Sequence, residues 1–445
     1  MNDAVLITVD SLRADHVGYH GYGRETTPSL DSLAESSHVL YNAFANGCGT
    51  SRSFPSIMSS TYPRMYGGFK PISAERPLLA ETLQEAGYRT AGFHSNPYLN
   101  AQFGYDRGFE TFFSSESESS VLGDLRQWVK DTFDESGLVF RLLKSVYDSS
   151  ERTVGFNPGT PFVRAEELTD RAIRWVRSAD AGPRFLWVHY MDVHHPYAPP
   201  ESYQRPFRDE AVSDRRAVQL RRKMLEEPDE VTDAELRTLI DLYDGEIRYF
   251  DHHAGRLIEE IRDAWGSNTV IAFTSDHGDE FLDHGSFSHY DTFYDELIHV
   301  PLLCSVDDAG GEHDELVELL DVAPTLVDCA GVSVADEFLG TSLRELFDGG
   351  VWEKDGVCVE ASSGRAYRTS DWKYIRADSG RKLFDLTGDP DERTDVLDDN
   401  PDLAREFEAR LERYERYEEE TRTDVEAVDI DGQTEERLED LGYLR

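Results

Sequence analysis

Thr269-Val270-Ile271-Ala272-Phe273-Thr274-Ser275-Asp276-His277-Gly278-Asp279-Glu280 is the stretch whose reading decides the fold. An unbroken run of Val, Ile, Ala and Phe predicts a strand buried on both faces, as in a parallel sheet sandwiched by helices, and hence an α/β fold. Its polar residues are then delivered at the carboxyl end of the strand, where open α/β sheets place their ligand crevices. A carboxylate and an imidazole side by side, Asp276 and His277, suit a divalent metal such as Mg, Mn, Ca or Zn, and Gly278 lets the backbone turn away sharply. An Asp-His-Gly after a strand is by itself also an ordinary turn, so the reading needs support from other strand ends.

That support comes from three further strands. Ala4 to Val9 has the same buried pattern and runs into Asp10-Ser11-Leu12-Arg13, so that Asp10 becomes a third ligand if the two strands are neighbours; alone, Asp10 is equally a helix N-cap. Arg184 to Met191 is another buried strand, followed by Asp192-Val193-His194-His195-Pro196-Tyr197. Thr90 to Phe93 is a short strand leading to His94, Ser95 and Asn96. Four strands ending in metal-type or acid/base residues are far less expected by chance than one. After a strand over Val39 to Phe44 comes Ala45-Asn46-Gly47-Cys48-Gly49-Thr50-Ser51-Arg52-Ser53, where small and hydroxylated residues near a helix start could expose a nucleophile to the positive end of the helix dipole. A Ser-rich loop is the alternative.

The remaining chain predicts a long helix over Leu236 to Trp265 with Tyr243, Tyr249 and Phe250 on its apolar stripe, and a helix over Leu316 to Ala330 with an internal proline. The Ser-, Glu- and Arg-rich region at 114–169, helical around Leu125 to Val146, reads as an insertion or lid. From about Val351 the texture changes to short strands and turns, then an acidic helix from Leu403 to Thr421. Turn-length connections indicate an antiparallel sheet. The expected organisation is a catalytic domain at 1–350 and a small C-terminal α+β subdomain at 351–445.

Composition bounds the partners. Asp and Glu number 88 against 45 Lys and Arg, giving a net charge of −43. Such a surface argues against nucleic acid as a partner and suits high salt, where screening removes self-repulsion. Four scattered cysteines without a CxxC form no disulfide or metal framework. Met1-Asn2-Asp3 leads straight into a strand with no basic segment or long apolar run, and nothing later approaches a membrane span. The expectation is a cytoplasmic protein.

Taken in order, these motifs resemble the sulfatase family of the alkaline phosphatase superfamily. The matching pieces are Val9-Asp10-Ser11-Leu12-Arg13-Ala14-Asp15, Thr61-Tyr62-Pro63, Ala86-Gly87-Tyr88-Arg89-Thr90, Asp192-Val193-His194-His195-Pro196-Tyr197, Thr274-Ser275-Asp276-His277-Gly278, His284-Gly285, Val300-Pro301-Leu302, Asp321-Val322-Ala323-Pro324-Thr325, Leu383-Phe384-Asp385-Leu386-Thr387-Gly388-Asp389-Pro390 and the Leu441-Gly442-Tyr443-Leu444 terminus. The resemblance implies an alkaline-phosphatase-like mixed sheet between helices, a metal-dependent site, and cleavage of sulfate or phosphate esters.

The nucleophile segment departs from the family pattern. Sulfatases typically carry Cys-x-Pro-Ser-Arg, whose Cys is oxidised to formylglycine; Cys48-Gly49-Thr50-Ser51-Arg52 lacks the proline, and the family spacing from Ala43 and Tyr62 points to Thr50 instead. Cys48 and Ser51 remain the alternatives. A Thr there resembles the phosphoryl-cleaving branches, which include nucleotide phosphodiesterases and lipoteichoic acid synthases. Because Ser11 stands where the family has a second acid, the resemblance implies one metal held by Asp10, Thr50, Asp276 and His277. By the same carry-over His194 protonates the leaving oxygen, an unperturbed imidazole being poised near neutral pH, Arg52 and His289 hold the non-bridging oxygens, and Arg13 braces Asp10. His94 and His289 stand near the places of the family's sulfate-binding lysines. A phospho-group transferase and a non-catalytic metal-binding relative are the competing functions, and the segments 114–169 and 200–235 are expected to carry substrate identity.

Overall fold

The computed structural model describes residues 1–66, 71–114, 162–179, 182–289, 292–307 and 309–423, with 425, 434 and 438. The helix expected around Leu125 to Val146 and the Leu441–Leu444 motif lie outside the described residues.

Fourteen strands are described: β1 Ala4–Val9, β2 His38–Phe44, β3 Arg89–Phe93, β4 Thr111–Phe113, β5 Arg184–Tyr190, β6 Val270–Ser275, β7 Glu280–Phe281, β8 Phe287–Ser288, β9 Leu302–Ser305, β10 Gly311–Glu318, β11 Val357–Ala361, β12 Gly364–Arg368, β13 Trp372–Ala377 and β14 Gly380–Asp385. Eight of them form one sheet in the order β10-β2-β9-β6-β1-β5-β3-β4. Strand β9 runs antiparallel to both its neighbours, and every other pair is parallel, which makes the sheet mixed. The carboxyl ends of β1, β2, β3, β5 and β6 consequently share one edge.

Strand periodicity assigns the two faces. Val5, Ile7 and Val9 of β1 and Ile271 and Phe273 of β6 join a core with Leu242, Tyr243, Phe250 and Leu257 of the helix Asp233–Trp265. Ala4, Leu6, Val270 and Ala272 point the other way, to a core with Phe54, Ile57, Leu83 and Leu326. The long helix begins earlier than its apolar stripe because Thr232 and Glu235 form a reciprocal capping box, and it ends at Gly266, whose φ of 97° a residue with a side chain rarely adopts.

One expected element is redrawn. Leu316 and Val317, read as the start of a helix, are the buried end of β10, and the helix runs only over Val322–Cys329. Pro324 then falls in the first turn, where its missing N–H has no helical partner to lose. The exposed half of β10, Gly311-Glu312-His313-Asp314-Glu315, is charged because it lies at the edge of the sheet, where charge discourages pairing with another chain.

Strands β11–β14 form a separate antiparallel meander. Phe407 and Leu411 of the helix Pro401–Thr421 cover one face with Tyr367 and Tyr374. The other face, through Val357, Val359 and Ile375, packs on Phe44, Cys48 and Leu297. The small sheet therefore closes over the segment that leads from β2 to residue 50.

Candidate active site

Asp10 and Asp276 are the first residues past two adjacent parallel strands, and backbone bonds from Asp10 N to Tyr190 O (2.8 Å) and Asp276 N to Val9 O (3.3 Å) fix both. His277 follows, and its Nδ1 lies 2.8 Å from the Gly278 carbonyl. A carbonyl only accepts, so Nδ1 carries the proton and Nε2 presents a lone pair. That Nε2 faces Asp10 Oδ1 at 3.7 Å and Asp276 Oδ2 at 3.6 Å. The ligand atoms of the three side chains all lie within 4.8 Å of one another, and all three residues are buried.

Two carboxylates this close repel each other by about 3 kcal/mol or more even at an effective dielectric near 20. Burial, and next the charge of Asp10, pushes the Asp276 carboxyl well above the ordinary range. Burial also works to raise Asp10, but His194, His189 and His277 outweigh it and hold that carboxyl well below the ordinary range. Asp276 Oδ2 has no hydrogen-bond partner among the described residues. Two carboxylates, an imidazole lone pair locked by its other nitrogen, and an orphaned buried oxygen fit a divalent cation.

Thr50 comes from the far side. It opens the helix Thr50–Ser59, directly after Gly49. Its Oγ1 donates to Asp10 Oδ2 at 3.1 Å and stands 3.5 Å from His277 Nε2. Cys48, two residues earlier, is fully buried in the apolar cluster with Phe44, Phe293 and Leu297. Ser11 Oγ bonds Asp10 Oδ1 at 2.8 Å.

His194 and His289 stand over this cluster, with ring centroids 5.0 Å apart, and the His289 ring is 4.6 Å from that of His277. His194 Nδ1 lies 2.7 Å from the His195 carbonyl, so its Nε2 is the acceptor in the neutral ring. The sequence reading assumes an unperturbed imidazole; burial instead lowers the His194 pKa to about 4, against the pull of Asp10. His195 has both nitrogens engaged, Nδ1 accepting from Arg221 Nε at 3.2 Å and Nε2 donating to Ser288 Oγ at 3.1 Å.

One other reading changes. Arg13 does not brace Asp10: its guanidinium bonds Asp15, Asp283 and the Asp279 carbonyl. His94 is fully buried, 5.4 Å from the Trp187 ring, and burial lowers its pKa to about 3. Arg52 lies on the rim, where Nη2 donates to Ser362 Oγ at 3.0 Å.

Three contributors lacked a signal strong enough for a role. Asn96 Nδ2 donates to Asp10 Oδ2 at 3.0 Å and also lies 3.5 Å from Thr50 Oγ1. His189 sits inside β5 with Nε2 3.6 Å from Asp10 Oδ2 and Nδ1 3.0 Å from Thr8 Oγ1. Arg221, in the segment 200–235, reaches the site through His195. A polar residue inside an apolar strand, as His189 is, could have been the clue.

The family model described as Sulfatase matches residues 2–332, and one described as N-sulphoglucosamine sulphohydrolase, C-terminal, matches residues 283–417. The chain belongs to the sulfatase family. As a member it is a hydrolase of sulfate or phosphate esters. This sulfatase-family chain is 24% identical to an arylsulfatase of Clostridium perfringens over 92% of each chain, and 22% identical to arylsulfatase K of Canis lupus familiaris over 92% of this chain and 81% of the relative. Its fold matches the phosphonate monoester hydrolase of Agrobacterium radiobacter with a TM-score of 0.70 at 20% identity, covering 94% of this chain and 96% of the other. No helix among the described residues is long and apolar enough to cross a membrane.

Proposed function

We propose that this enzyme cleaves its ester through a covalent intermediate on the Thr50 hydroxyl, with phosphoryl esters preferred over sulfuryl esters. The observation that carries this is the placement of Thr50 Oγ1, 3.1 Å from Asp10 Oδ2 and 3.5 Å from His277 Nε2, while Cys48 belongs to an apolar cluster. A single divalent ion held by Asp10, Asp276, His277 and Thr50 would lower the pKa of the hydroxyl and neutralise the anionic group. One ion rather than two follows from Ser11, a hydroxyl bonded to Asp10 where a second acid would otherwise stand.

The chain's own residues divide the remaining work. Asp10 accepts the Thr50 hydrogen bond, and the start of the helix Thr50–Ser59 turns its positive end to the anion. Thr50 Oγ1 passes its proton to Asp10 as it attacks the phosphorus or sulfur, and the ester oxygen leaves with a proton from His194. Water then cleaves the adduct, giving one proton back to His194 while Asp10 returns its proton to Thr50 Oγ1. A buried His194 is neutral before substrate arrives; a seated anion beside it raises its pKa and lets it carry that proton. His289 and Arg52 hold non-bridging oxygens. A panel of aryl sulfate, phosphate monoester and phosphodiester substrates, each with several metals, tests the preference; a clear preference for the sulfate would contradict it.

His194→Ala is expected to slow esters with poor leaving groups by about 10²–10⁴-fold, the usual worth of general acid catalysis. Activated nitrophenyl esters, which need little protonation, lose much less. Equal losses on both would make His194 a binding residue instead.

We also assign this acidic protein to a cytoplasm at high salt. Its four cysteines are all buried and widely spaced in sequence, in keeping with a reducing compartment. Raising sodium chloride from about 0.1 M to about 1 M shrinks the screening length from roughly 10 Å to roughly 3 Å and should relieve repulsion among the surplus carboxylates. The thermal midpoint is expected to climb over that range; a flat or falling midpoint would remove this assignment.

A further inference from the structure

Outside the catalytic cluster, three ligand-type atoms converge where the loop after β7, the short helix Asp295–Ile298 and the segment after β14 meet. His284, Glu296 and Glu392 each bring one ligand atom within 4.8 Å of the others, and His284 Nε2 and Glu296 Oε2 are 3.5 Å apart. His284 Nε2, Glu296 Oε2 and Glu392 Oε1 are buried atoms without a hydrogen-bond partner among the described residues. Glu392 is only 3% exposed. Orphaned polar atoms are costly one at a time, and three converging ones call for a common partner.

We propose that His284, Glu296 and Glu392 form a second divalent-cation site, independent of the catalytic one, which ties the C-terminal sheet to the catalytic loop. An imidazole with two carboxylates suits a borderline ion of the zinc or cobalt class better than calcium or magnesium, which prefer all-oxygen shells. The His284 ring is held by stacking on Tyr294, with centroids 3.5 Å apart and planes 5° apart. Glu392 is oriented through Oε2, which accepts from Lys373 Nζ at 2.7 Å and Asp295 N at 2.8 Å, while Oε1 has no hydrogen-bond partner among the described residues. Burial lifts the Glu392 carboxyl to about 7 against the pull of Lys373, a measure of how poorly the group is solvated.

A cavity of about 510 Å³ lined by His284 and Glu392 gives the ion a way in. Lys382 and Arg393 also line it, but Lys382 Nζ is committed to Tyr294 Oη at 2.9 Å and Arg393 to the Asp283 carbonyl, so neither satisfies Glu392 Oε1. The site borders the catalytic loop through the backbone: Gly278 N donates to Leu297 O at 2.8 Å, and a side chain at 278 would strike Glu296 O.

Equilibrium dialysis against zinc chloride followed by elemental analysis tests the proposal in the full-length protein, with His277→Ala used to disable the catalytic cluster. That variant should still hold one zinc ion per chain. Both His277→Ala/Glu392→Gln and His277→Ala/Glu296→Gln should lose it while keeping the native circular dichroism spectrum, and cobalt loaded into His277→Ala should show visible absorption that the double variants lack. Absence of zinc from His277→Ala, or its retention in both folded double variants, would overturn the site and leave the three groups sharing a proton.

Discussion

His277→Ala is expected to strip the catalytic ion from the enzyme and to lower turnover on any ester by on the order of 10³-fold or more, the several kcal/mol that a metal contributes to transition-state charge stabilisation. The expectation rests on the ring's fixed tautomer. With Nδ1 donating to the Gly278 carbonyl, Nε2 has no role except toward Asp10, Asp276 and Thr50. Removing it takes away the neutral nitrogen donor and leaves two carboxylates facing each other, with Asp276 pushed upward by burial and by Asp10. Asp276→Ala should have the same effect on metal content and rate. Both residues follow the end of β6 rather than lying within it, so the sheet should survive. Elemental analysis and steady-state kinetics check this together. Catalytic metal at full occupancy in both variants would mean the ligand set is wrong.

Thr50→Ala should be the most damaging single change, lowering turnover by on the order of 10⁴-fold or more, because it removes the atom that forms the covalent bond. Thr50→Ser keeps the hydroxyl and loses the methyl that restricts χ1, so part of the activity should remain. Cys48→Ala supplies the contrast. Cys48 packs among Phe44, Phe293 and Leu297, so its truncation should cost about 1 kcal/mol of stability through a small cavity and leave the rate nearly intact. A hydroxyl nucleophile needs no oxidative modification, and the protein should be active without any formylglycine-generating enzyme. The reverse pattern, an active Thr50→Ala beside an inactive Cys48→Ala, would restore the conventional sulfatase register.

Much of the scaffold was legible because its signals are local. Buried strands announce themselves as apolar runs, and β1, β5 and β6 each end where Asp10, His194 or Asp276 begins to appear. The long helix was legible from its 3.6-residue stripe. What the sequence hid is what depends on neighbours. Strand β10 is half charged because it is an edge, and edge position cannot be seen in a single stretch. Asn96 and His189 touch Asp10 only because β3, β5 and β1 lie side by side. The change in His194 from a poised imidazole to a neutral one comes from burial by segments far away in sequence, and Arg13 turned to Asp283 for the same reason.

The most direct test of Thr50 as the nucleophile is to quench the enzyme in acid during turnover of a phosphate ester, digest it, and sequence the peptide containing residues 48–52 by mass spectrometry. Phosphate on Thr50, with Cys48 carried as an unmodified thiol, is the expected result. An aldehyde at residue 48, or an adduct on Cys48 or Ser51 with Thr50 unmodified, would contradict it.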